Sequence, residues 1–309
     1  MITSIFSKSR PANYIIISTL LVVCYFLYLQ NFPESFQTLE GIGAKLLLLL
    51  VLVGSLFIIN FVTKKNGLSK DNSFAFLFFF SFLILFPTTL GNTDLILANF
   101  FILLALRRLI SLQSLLTPKE KIFDASLWIF VASIFHFWSI LFIIIVFVSI
   151  LFHVSRDYRN WVLPFIAFFV VGIIGLMYAL IFDKSLIDSV IDSALIDFNF
   201  NYFTNNYQNF AFSLYVVIAL FFFVTQSLSV PSKPLNMQSS YKKIIVAFIL
   251  GAVVFLISSD KNNSMLLFTF APVAIMATNQ VEVMQVNWMK ESIVYVIVGC
   301  SLLTFFSQL

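Results

Sequence analysis

Charge is the first thing this sequence lacks. Only 10% of its 309 residues are Asp, Glu, Lys or Arg, while 61% are hydrophobic; soluble domains carry roughly a quarter charged. A water-soluble fold has nowhere to hide that much apolar surface, so an ordinary soluble domain is excluded. Alternation of polar and apolar residues is missing too. LLLLLVLV and FLFFFSFLILF are unbroken runs, which excludes a membrane β-barrel built from alternating strands. There are two cysteines, Cys24 and Cys300, each inside an apolar run, so neither a disulfide framework nor a metal-binding spacing exists. The two histidines, His136 and His153, fall at opposite ends of an apolar run and cannot share a metal, so no metal or cofactor is expected. No GxxxxGK(S/T), GxSxG, HExxH or CxxC occurs, which argues against nucleotide hydrolysis, serine hydrolysis and zinc proteolysis. No tandem repeat and no stretch for a soluble domain is present. The chain reads as a single integral membrane domain over residues 1–309.

What is there are long apolar runs, expected to be membrane-crossing helices of about 17–25 residues each. Forty phenylalanines suit lipid, and most of that excess is put down to composition. Lys8 and Arg10 precede an apolar run from Tyr14 to Leu29; with no small-x-small site after it, it reads as an uncleaved first helix. Further helices are expected at Leu46–Val62, Phe74–Leu90, from beside Asp94 to Arg107, Trp161–Phe182, Phe210–Leu228, Ile244–Ile257, Met265–Met276 and Ile293–Phe306. Gly172 and Gly175 are expected at a close helix contact.

The stretch Asp94–Arg159 fixes the orientation. Phe123–Phe152 as one helix would be roughly 45 Å long, against a hydrocarbon core of about 30 Å. Both its flanks are basic, with Lys119 and Lys121 before and Arg156 and Arg159 after. Positive residues mark cytoplasmic ends, so the run should cross an even number of times. It is therefore expected to split into Phe123–Phe135 and Trp138–Phe152, with His136 at the outer turn. The expected fold is all-α, a polytopic transmembrane bundle of about 11 spans (10–12) with its N-terminus in the cytoplasm. Of 18 Lys and Arg, only Lys45, Lys184 and Lys261 then lie outside. A net charge of +4 is thus a topology signal, and no nucleic-acid partner is expected.

Candidate sites arise from polar residues set in or beside these runs. His136 would serve as general base or hydrogen-bond partner at the outer face, or merely cap a helix end. Asp94 and the pair Asp260–Lys261 sit at the mouths of two helices with short apolar stretches, and such helices often line a cavity. Asn99, Asn262 and Asn263 add amides there, unless those ends simply meet water in a thinned bilayer. Glu34 would be a catalytic acid with Glu40 as partner, or plain loop solvation. The segment near 184–197 places Asp188 and Asp192 on one helical face and Ile187, Val190, Ile191, Ala194 and Leu195 on the other, which predicts a short amphipathic helix on the outer surface. FNFNYFTNNYQNF, which contains Tyr202, interleaves aromatics with amides. It suits a sugar, or an interfacial aromatic belt. Arg107, Arg108, Lys119 and Lys121 form a basic cluster that would meet anionic lipid headgroups, or only set topology.

The segments MITSIFSKSRPANYIII, NTDLILANFFILLALRRL and SSDKNNSMLLFTFAPVAIMATNQVE resemble an uncharacterised family of inner-membrane proteins from Bacteroidota, over most of the chain and with no activity attached. FDASLWIFVASIFHFWSILFIIIV more locally resembles the middle of EpsG-type polysaccharide polymerases, with His136 at the matching histidine. KNNSMLLFTFAPVAIM is similar to a late helix of glycosyltransferases that use polyprenyl-phosphate sugars, Pro272 matching their proline. That resemblance implies an envelope-glycan enzyme at the outer face. His136 would be base or orienter, Asp94 or Glu34 would assist, Lys261 would meet phosphate, and Asp260, Asn263, Asn99 and Tyr202 would bind substrate. The partners would be membrane lipid and a polyprenyl-linked glycan. This chain departs from the pattern in having no outer Arg and no paired acids in its first outer loop. The alternatives are a non-enzymatic subunit of an envelope secretion, motility or export complex, with other membrane proteins as partners, and a small-molecule transporter.

Overall fold

A computed structural model describes residues 2–31, 39–182, 190, 193–198, 206–259 and 261–309. Among them are twelve α-helices: α1 Ile2–Phe6, α2 Pro11–Leu29, α3 Leu39–Lys65, α4 Phe74–Leu85, α5 Thr93–Ile110, α6 Pro118–Phe135, α7 Ile143–His153, α8 Tyr158–Ile181, α9 Asn206–Ser229, α10 Leu235–Ile257, α11 Leu267–Val283 and α12 Asn287–Gln308. The fold is all-α. Eight of the helical segments are long and apolar enough to cross a membrane, so this is a multi-pass membrane protein surrounded by lipid. Of the expected surface helix near 184–197, residues 184–189, 191 and 192 lie outside the described residues. The described remainder makes a single antiparallel bridge, Ile196 to Ser258.

Two helices form the axis of the bundle. All twelve residues of α4 are buried, as are nearly all of α11. A helix apolar all round belongs inside, and α4, FAFLFFFSFLIL, is enclosed by α2, α3, α11 and α12. Its Phe82, with Phe86, packs against Phe270 of α11 and Tyr215 of α9 at ring separations of 5.3 to 6.1 Å. Tyr215 closes the cluster with a 2.6 Å hydrogen bond to Thr269 Oγ1. By contrast α8 packs on α6 and α7 along one side and turns Phe165, Phe168, Phe169 and Ile173 outward. The phenylalanines therefore serve both the core and the lipid surface.

Helix breaks carry most of the difference from expectation. The run Phe74–Leu90 does not continue as one helix. Pro87 has no N–H and forces Phe86 out of helical geometry (φ −123°, ψ 83°). A 3-10 turn, Pro87–Gly91, leads on to α5. Helix α5 is then 18 residues long, not short, because Asn92 caps it by accepting the Leu95 N–H at 3.2 Å. At the other run, α6 stops at Phe135 and His136 is extended (φ −144°, ψ 106°). A 3-10 turn Phe137–Phe142 precedes α7. No glycine or proline lies between Phe123 and Phe152, so this break comes from packing and not from local propensity.

Gly172 and Gly175 do not make the expected close contact. A Cβ on Gly172 would touch nothing within 4 Å, and one on Gly175 would meet only Ile134 at 3.8 Å. The close approach is at Gly251 of α10, where a Cβ would lie 2.9 Å from Thr269 Cγ2 and 3.1 Å from the Phe268 carbonyl. Pro272 cannot donate to that carbonyl, and glycine lets α10 come up against it. Gly251→Ala should therefore push α10 and α11 apart and cost about 1–3 kcal/mol. Gly172→Ala should be neutral or stabilising by up to about 1 kcal/mol. Thermal melts of the purified variants in detergent check both, and equal shifts would contradict the assignment of the contact.

Candidate functional site

The breaks that end α4 and begin α11 meet. Ser264, in the 3-10 turn Asn263–Leu266 before α11, donates to Thr88 Oγ1 at 3.1 Å. Thr88 lies in the turn after α4. Above this link is a pocket of about 570 Å³. Thr88, Ser264 and Tyr28 supply hydroxyls, Asn262 an amide, Asp94 a carboxylate and Lys45 an ammonium. Non-helical backbone at membrane depth is tolerated where it lines a cavity, and here both breaks do so. Asp94 is in the first turn of α5, where the helix dipole favours a negative charge. Gly91 lies close under Tyr28: a Cβ there would come within 2.7 Å of the Tyr28 hydroxyl, so the tyrosine would have to shift.

The other candidates are placed differently. Asn99 is buried in α5, about 7 Å along the axis from Asp94, and does not line the pocket. Lys261 is buried; its ammonium donates to the Asp197 carbonyl and lies 5.8 Å over the Phe198 ring. Asn263 donates to Gln208 O at 3.3 Å, and its buried Oδ1 has no partner among the described residues. Glu34, Asp260 and Tyr202 lie outside the described residues.

His136 is buried where α6 gives way to the turn before α7. Its Nε2 is 3.2 Å from Ser258 Oγ, and its ring is 5.6 Å from that of Phe268. Ser258 donates its hydroxyl hydrogen to Val254 O at 2.8 Å. The histidine must then be the donor, which makes it the Nε2–H tautomer. The same Ser258 carries the backbone bridge to Ile196. His136 thus joins the α6–α7 turn to the end of α10. Asp94, Lys261 and His136 stand at the same end of the bundle in three separate settings.

The opposite end is basic and closely fastened. Lys243 of α10 is fully buried, and its Nζ donates to Leu109 O at 2.6 Å. Lys121 donates to Ser111 O and Ser114 Oγ, both at 2.8 Å. These two ammonium groups satisfy carbonyls that the end of α5 leaves open. They also hold the turn in which Leu115 and Thr117 adopt positive φ. Arg108 pairs with Asp124 at 2.8 Å and Lys119 with Asp157 at 3.2 Å. The Arg159 N–H and then the Lys119 ammonium hold the Asp157 carboxyl below its ordinary range. His153 is held between Ser149 O and Ser239 Oγ, each at 3.2 Å.

Sequence reasoning missed Lys45, Thr88, Ser264 and Tyr28 as one group. The turn-rich letters PTTLGN after Phe86 were the available signal. The roles of His136 and Asp94 separate experimentally. His136→Ala should lower thermal stability by about 1–3 kcal/mol, since it removes the link from the α6–α7 turn to Ser258 and opens a void. Asp94→Asn, at an exposed rim position, should change it by less than about 0.5 kcal/mol. Melting curves of both variants decide this; an unaffected His136→Ala protein would mean that the histidine does not hold the turn.

No curated protein and no solved structure matches this chain. A family model does, over residues 1–309, described as a family of unknown function, DUF6427. The chain belongs to that family.

Proposed function

We propose that this protein engages a hydroxyl-rich ligand, of the lipid-linked envelope-glycan kind, in the pocket between the α4 and α11 breaks. It would do so at the outer face of a bacterial cytoplasmic membrane. One observation carries the reading: the breaks of two buried central helices are joined through Ser264 and Thr88, and residues of both, Thr88, Asn262 and Ser264, line one pocket. Neutral hydroxyls and amides suit a sugar, and Asp94 is the acceptor placed to orient or deprotonate one of its hydroxyls.

The orientation rests on charge. Among the described residues, Lys45 and Lys261 are at the pocket end and the other Lys and Arg at the far end, which makes the far end cytoplasmic. Counting α2 through α12, the chain then crosses eleven times. In a cysteine-free background, Thr93→Cys should react with an impermeant thiol reagent in intact cells. Leu116→Cys, exposed at the basic end, should not. The opposite pattern would invert the topology.

The activity itself is tested by a chromosomal Asp94→Asn strain. Envelope polysaccharide should fall at least about tenfold at unchanged protein level, as for loss of a positioned base; wild-type polysaccharide would sink the glycan reading. A second reading, a non-enzymatic subunit of an envelope complex, is favoured by the separation of His136 and Lys261 from the pocket. Stable membrane-protein partners recovered after mild solubilisation, together with an inert Asp94→Asn, would support it.

A further inference from the structure

We infer that the pocket takes the phosphate group of an outer-leaflet amphiphile, with Lys45 as the counter-charge. This rests on the proposed glycan-ligand pocket and adds the group by which the ligand is held. The pocket end has two lysines among the described residues. Lys261 is committed to the Asp197 carbonyl. Lys45 is on the pocket wall, and no carboxylate among the described residues lies within 4 Å of it. Asp94 lines the same pocket without forming an ion pair with Lys45, so cation and anion stand apart with space between them.

A second donor lines the same pocket. Thr88 Oγ1 accepts from Ser264, which leaves its own hydrogen free to be donated to an anion. Lys45 and Thr88 together offer a charge-assisted and a neutral hydrogen bond to phosphate oxygens. Asp94, repelled by phosphate, is left for the hydroxyls of an attached group. The setting favours a lipid over free phosphate. Leu46, Leu47 and Leu50 of α3 are 49%, 58% and 71% exposed and lie around the helix from Lys45, whose own side continues to the buried Leu48, Leu49 and Leu52. The helix that carries Lys45 is thus flanked by lipid, and Lys45 stands at its end, where phosphate headgroups gather.

The full-length protein in detergent is equilibrated with a polyprenyl phosphate, with phosphatidylglycerol or with diacylglycerol, and bound lipid is counted by native mass spectrometry. Phosphate-bearing lipid should bind about five- to tenfold more tightly than diacylglycerol. Lys45→Gln should abolish that margin, Lys45→Arg should retain it, and Lys290→Gln at the far end should leave it unchanged. Equal binding of diacylglycerol would overturn the inference. So would a folded Lys45→Gln protein, judged by its melting curve, that binds as wild type. Lys45-dependent capture of phosphatidylglycerol alone would support the phosphate site while removing the glycan reading. Preference for polyprenyl phosphate supports both.

Discussion

A backbone that leaves the helix inside a membrane must find partners for its N–H and C=O groups, at several kcal/mol for each one left unmet. That requirement organises this protein. Its two innermost helices, α4 and α11, are both interrupted where they meet the pocket. Pro87 ends one, and an extended segment through Asn262 begins the other. The freed polar groups are gathered at one level, where Ser264 and Thr88 tie the two breaks together. The pocket is the consequence of that meeting. Its polar lining is what lets the core be broken there.

The remaining helices divide the work. Those at the rim, α8 above all, present aromatic and aliphatic side chains outward, as lipid contact demands. At the basic end, buried lysines close the carboxyl end of α5 and bind α5, α6 and α10 into one unit. At the pocket end His136 is one such fastening. Its imidazole ties two helix ends through Ser258, so the only histidine at that end acts as a structural clasp. The carboxylate and ammonium at the pocket are the groups assigned to the proposed ligand.

Much of the fold was legible in the sequence because lipid imposes simple rules. Apolar run length placed the helices, and segregation of Lys and Arg divided them between two ends. The basic flanks of Phe123–Phe152 required a reversal, and the chain reverses at His136. What escaped was whatever depends on packing. Gly172 and Gly175 looked like a helix contact, yet α8 lies at the rim and Gly251 makes the close approach, facing a carbonyl freed by a proline on another helix. Asp94 was legible as a candidate because it is a carboxylate at the mouth of an apolar helix. Lys45, Thr88 and Ser264 were not, since nothing in one chain's letters says that residues so far apart share a wall.

The α4 break is central only if it is a water-filled site within the bundle. Thiol accessibility at Thr88 tests this most directly. With a cysteine placed there in a cysteine-free protein, a small impermeant reagent should label Thr88→Cys at a rate far above Ser81→Cys, which is buried within α4. A Thr88→Cys protein as silent as Ser81→Cys would mean that the break is sealed and that no pocket exists for a ligand to enter.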